Sequence, residues 1–158
     1  DPTAFVHPRA FVCGDVILAP RVSVWPTAVI RGDTDRVTIG ADSNVQDGTI
    51  VHVDHGVPTT IGARVGIGHR AIIHGATVED DCLIGMSATI LNGAVIGAGS
   101  LIAAGAVVLE GTIIPPRSLV AGVPAKVRRE LSDEEFAGVQ QNAAHYRELA
   151  RAHRELHA

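Results

Sequence analysis

Residues 78–120, broken every six, read VEDDCL IGMSAT ILNGAV IGAGSL IAAGAV VLEGTI IPPRSL V. The segment heads are Val78, Ile84, Ile90, Ile96, Ile102, Val108, Ile114 and Val120, all β-branched. Upstream the same step links Val6, Val12, Leu18, Val24 and Ile30, then Ile39, Val45 and Val51, then Ile61, Ile67 and Ile73. Four residues after most heads stands something small, such as Ala28, Ser43, Thr49, Ala71, Ala88, Ala94 and Ser100. A period of six matches neither an amphipathic helix nor an alternating strand. It fits a chain coiled in flat six-residue sides, with the β-branched residue in a narrow core and the small one at the corner.

Three sides per turn make a triangular prism, and nineteen sides give a little over six coils. The pattern resembles the left-handed parallel β-helix of hexapeptide-repeat proteins, and the handedness is an implication of that resemblance alone. The expectation is a mainly β single domain, with the prism over residues 1–125. Residues 126–158 are expected to form a linker and a C-terminal helix packed on the prism. Ser132-Asp-Glu-Glu135 reads as a capping box. Phe136, Val139, Ala143, Tyr146, Ala150 and His153 then follow at helical spacing, as one stripe.

Thirteen basic and seventeen acidic residues give a formal charge of −4 without a basic cluster, which argues against nucleic acid as a partner. The apolar residues never run long enough to span a bilayer, and no signal peptide is visible. Asp1 in place of a Met leaves a removed leader open. Cys13 faces outward by phase and Cys82 inward, so no disulfide is expected and a cytoplasmic, reducing setting fits.

The rhythm breaks three times: three residues are added after Ile30, four after Val51, and one is lost after Ile73. Counting sides in threes from Val6 puts all three breaks on one edge, at the end of the second face. Irregular loops on a rigid scaffold are where functional residues gather. Arg31, His52 and His74 directly follow inward positions, so they form an outward column with steps of about 4.8 Å. Two imidazoles at that spacing can converge on one ion. His69 follows Ile67 by two and leaves the first face at a different edge, joined there by Gln46. One prism therefore cannot bring all three histidines together, whereas prisms packed about a three-fold axis can. Three His ligands leave one tetrahedral position open, as in catalytic zinc sites.

A set of local motifs accompanies these histidines: Trp25-Pro26, Ala28-Val29-Ile30-Arg31-Gly32-Asp33, Ile39-Gly40, Asn44-Val45-Gln46-Asp47, Gly68-His69, His74-Gly75, Leu83-Ile84-Gly85-Met86 and Gly122-Val123-Pro124-Ala125-Lys126-Val127. Together they resemble the gamma-class carbonic anhydrase family, over most of the chain. The resemblance implies a homotrimer with one divalent metal per subunit interface, held by His52 and His74 of one chain and His69 of another. Zinc is the first expectation, and iron or cobalt also suits imidazole. It further implies an interfacial ion-pair set of Arg31, Asp33 and Asp47, with Gln46 contacting the reacting water or substrate. The implied activity is reversible hydration of CO₂ to bicarbonate by water ionised at the metal. The best-studied branch of the family carries a longer acidic loop with a carboxylate proton shuttle. Here residues 53–60 are shorter, and His55 is the candidate shuttle. Tyr146 is a further candidate to reach the site from the helix. Two alternatives stand beside this reading: a hexapeptide acyltransferase, and a weakly active or inactive homologue kept for assembly.

Overall fold

The computed structural model describes residues 1–156, and its strands stack into three flat faces whose registers follow the six-residue period. On the first face Val6, Val24, Val45, Ile67, Ile84, Ile102 and Val120 stand one above another in parallel pairing. Val12, Ile30, Val51, Ile73, Ile90 and Val108 do so on the second face. The third holds Leu18, Ile39, Ile61, Val78, Ile96 and Ile114. Each coil bonds to the next through its backbone, as in Ile50 N to Ala71 O at 2.9 Å and Ile72 N to Ala88 O at 2.8 Å. The isoleucines from Ile30 to Ile102 on these columns are fully buried. Burying such a side chain stabilises the fold by about 1.5–3 kcal/mol.

The corners explain the small residues. Ala28, Ala71, Ala88 and Ala94 are buried there, at the turn from one side to the next. Where the corner residue carries a hydroxyl, it satisfies a carbonyl of the neighbouring coil: Ser43 Oγ donates to Gly62 O at 2.7 Å and Thr49 Oγ1 to Gly68 O at 3.0 Å. That keeps buried backbone acceptors paired as the chain turns.

The first coil departs from the expected pattern. Val6 is 42% exposed, and Val12 and Leu18 are only half-buried. A prism is closed by its neighbours along the axis, and Val6 has one, Val24. At the other end Ala125–Glu130, whose greater part was expected to be linker, forms a strand antiparallel to Ser118–Gly122. Cys13 and Cys82 are free, and burial pushes the Cys82 thiol up to about 12.

The capping box forms as read: Glu135 N donates to Ser132 Oγ at 3.2 Å and Ser132 N to Glu135 Oε2 at 2.9 Å. The helix Asp133–Leu156 then lies along the first face, against Ser23–Val24, Asn44–Val45 and Gly66–Ile67. Val139, Ala143 and Ala150 are its buried stripe, and Tyr146 and His153 pack edge-on against Trp25. Among the described residues no helix is long and apolar enough to cross a membrane.

The length changes leave the ladder intact. The strand Val29–Ile39 carries the added residues around the edge between second and third faces and pairs on both. The next coil closes its excursion with a bridge between Asp54 and Val57.

Candidate metal centre

His52 and His74 end the strands Ile50–His52 and Ile72–His74 and lie opposite each other in register. Their ring centroids are 4.9 Å apart, and His52 Nδ1 faces His74 Nε2 at 3.0 Å. Two nitrogens bound to one tetrahedral metal with bonds of about 2.0–2.1 Å lie about 3.3–3.4 Å apart. The observed 3.0 Å differs from this by only about 0.3–0.4 Å, so the spacing of the pair is compatible with two ligands of one ion. The donor chemistry and the spacing fit a divalent metal.

A second layer orients the pair. Asn92 Nδ2 donates to Asp54 Oδ2 at 2.7 Å, which sets the amide so that its Oδ1 accepts from His74 Nδ1–H, also at 2.7 Å. His74 then presents the Nε2 lone pair, the arrangement found behind most metal-bound histidines. Neither Asn92 nor a role for Asp54 follows from the repeat. The signal that could have found them is the residue lost after Ile73. It tightens the turn at Gly75, where φ is 55° and a side-chain carbon would collide with Asn92 Oδ1. On the other side His52 Nε2 lies 2.9 Å from Asp33 Oδ1, and Asp33 also pairs with Arg31. The His52 hydrogen bond, and after it Arg31, hold the Asp33 carboxyl below its usual range against the opposing effect of desolvation. Thr59 Oγ1 donates to His52 O at 2.7 Å and ties the loop back to the strand.

His55 lines an open depression of about 390 Å³ on the same edge, with Asp15, Asp33, Asp35 and Arg36. His69 stands apart from all of these. Its Nδ1 lies 3.0 Å from Asp47 Oδ2 and its Nε2 3.5 Å from the Tyr146 hydroxyl. Burial first, and Asp47 second, raise the Tyr146 phenol. Gln46, expected at an outward junction beside His69, is only 4% exposed, because the C-terminal helix covers this face. Its Nε2 donates to Asn44 Oδ1 at 3.0 Å. Among the described residues of one chain, no three His, Cys, Asp or Glu side chains converge closely enough to hold an ion.

Comparison with known proteins places these residues in a family. Residues 75–110 match the bacterial transferase hexapeptide model of six repeats, and residues 58–81 the hexapeptide repeat of succinyl-transferase. A probable carbonic anhydrase of Methanocaldococcus jannaschii is 57% identical over 141 residues, 89% of each chain. The mitochondrial gamma carbonic anhydrase 1 of Arabidopsis thaliana is 45% identical, over 97% of this chain and 58% of that protein. The chain belongs to the gamma carbonic anhydrase family. Other members of the wider group carry other names. The carnitine operon protein CaiE of Escherichia coli O157:H7 is 42% identical over 99% of this chain and 80% of its own length. A crystal structure of a putative acetyltransferase from Bacillus cereus superposes with a TM-score of 0.96 at 37% identity, covering 99% of this chain and 91% of that one. A hexapeptide transferase family protein from Anaplasma phagocytophilum gives 0.93 at 38%, covering 96% and 90%.

Proposed function

We propose that this chain is a gamma-class carbonic anhydrase that hydrates CO₂ reversibly to bicarbonate. Its metal would sit between subunits of a homotrimer, held by His52 and His74 of one chain and His69 of the next. The observation that carries the reading is the His52–His74 pair, 3.0 Å apart and oriented from behind by Asp33 and Asn92, with His69 on another edge. Zinc is the first metal to test, then iron and cobalt.

Such a metal supplies an ionised water at neutral pH; in zinc carbonic anhydrases, the reference case, the pKa of the bound water is about 7. The chain's own residues do the remaining work. Arg31, half-exposed beside Asp33, offers a guanidinium to orient the bicarbonate carboxylate. Asp33 and Asp47 fix one His each, and with Arg31 they make an ion-pair set across the junction. Gln46, by turning its amide from Asn44, hydrogen-bonds the reacting water or substrate. His55, in the open depression beside Asp33, passes the released proton to buffer. The two free cysteines suit a cytoplasmic setting.

The test combines elemental analysis of anaerobically purified protein with a CO₂ hydration assay from about pH 6 to about 9, roughly 1.5 units either side of that ionisation. Activity should require metal, rise with pH, and disappear in His52→Ala, His69→Ala and His74→Ala. Mixing His52→Ala with His69→Ala subunits should restore a minority of sites, because some junctions then join two intact edges. A fully metallated protein without hydration above buffer would refute the enzyme reading in favour of the assembly role. Acyl transfer from coenzyme A without bound metal would favour the acyltransferase.

A further inference from the structure

The C-terminal helix carries a second pattern beside its buried stripe. Arg147, Arg151 and Arg154 recur at i, i+4 and i+7, so they share one side of the helix. That side overhangs a cavity of about 300 Å³ between the helix and the first coils, floored by Phe5, Val22 and Ala150 and closed opposite by Arg21. A mostly apolar hollow of this size with a few convergent polar groups has the make-up of a small-molecule site.

The charges around it do not cancel. Arg21 is held in a two-point pair with Asp42, at 2.7 Å on both contacts. Arg154 Nη2 donates to the backbone carbonyl of Thr3 at 2.6 Å, which neutralises nothing. Arg147 and Arg151 share Glu148, at 3.9 and 3.4 Å. Asp42 also acts on Arg147, so the four guanidiniums that line the hollow face two carboxylates, which leaves the rim positive in a protein whose formal charge is −4. Guanidinium forks match phosphate and carboxylate oxygens, and the floor beneath them is apolar.

We infer that this hollow binds an amphipathic anion, a short alkyl or acyl chain ending in phosphate or carboxylate. The chain lies over Phe5 and Ala150, and the head is held by Arg147 and Arg151. The site lies on the first face, away from His52 and His74. His69 is linked to that face through Tyr146, which packs on Trp25, so metal content is followed alongside binding to keep the two readings distinguishable. Trp25 reports on it: it is the one tryptophan of the sequence, and its ring lies 5.7 Å from that of Phe5.

The experiment titrates the full chain with octyl phosphate, inorganic phosphate and octanol, following Trp25 emission and heat, with metal content measured on the same samples. Octyl phosphate should saturate at one per chain, at least about ten-fold tighter than head or tail alone. Arg147→Glu with Arg151→Glu should weaken it by about ten-fold or more, while Lys at both positions keeps most of the affinity and Arg128→Glu, at the far end of the prism, changes nothing. Circular dichroism checks that the helix of each variant is intact. Absence of saturable binding, equal affinity for octanol, or unchanged affinity after charge reversal would each overturn the inference, whatever the metal content.

Discussion

Replacing Asn92 with Ala removes the acceptor that fixes the His74 ring and leaves His74 itself in place. Two hydrogen bonds are lost, each at 2.7 Å, one of them to the Asp54 carboxylate. Asp54 is exposed and regains water, so the fold should lose less than about 1 kcal/mol. Metal affinity should suffer more, because the Nε2 lone pair is no longer aimed. Outer partners of metal-bound histidines are worth about 10–100-fold, or about 1.4–2.7 kcal/mol. Competition between the protein and a chelator of known affinity measures this directly, with thermal unfolding of the metal-free protein as the control. Asp54→Ala should cost less, since it only frees the Asn92 amide to turn. The double substitution should be no worse than Asn92→Ala, because Asp54 acts on His74 through Asn92 alone. Affinity within two-fold of wild type in Asn92→Ala, or fully additive losses, would refute the reasoning.

Ile84→Ala, in the fully buried first-face column, should lower unfolding free energy by about 2–5 kcal/mol in denaturant titration. Glu135 is held down to about 2, first by Arg129 and then by the Ser132 backbone. A depressed carboxyl stabilises above its ordinary value of 4.5 and loses that contribution as pH falls toward about 2. Helix content followed by circular dichroism should therefore fall across that window, and Glu135→Gln should flatten the dependence. Cys82, buried and raised to about 12, should stay unmodified by a thiol reagent at about pH 8 in the native protein and react after unfolding. Light scattering at micromolar concentration should give three times the 16.5 kDa chain mass; a monomer with full metal occupancy would contradict a shared site.

The columns from Val24 to Val120 could be read from the chain because one period fixes both register and direction: an inward residue places its successor outside. That rule put His52 beside His74 and sent His69 to another edge; the Asp47 carboxylate found there beside His69 it did not give. What it missed depends on other information. Val6 is exposed through its position at an end, which a repeat cannot express. Gln46 is covered by a helix whose docking site is set by Trp25, Tyr146 and the small residue Gly66, outside the six-residue pattern. The Asp54–Asn92 contact joins residues 38 apart across a loop and a shortened turn, where phase no longer specifies distance.

Insertions and a deletion all fall on the edge between second and third faces, yet Ile30, Val51 and Ile73 keep their partners on both sides. The interior ladder therefore tolerates three different lengths at that edge, with Val37 and Val53 of the longer excursions folded back into the core. This leaves the loop carrying His55 open to grafting. A longer acidic segment could be spliced in after Asp54 to alter proton delivery, while the stacked coils and the retained Asp54–Asn92 contact hold the two histidines still.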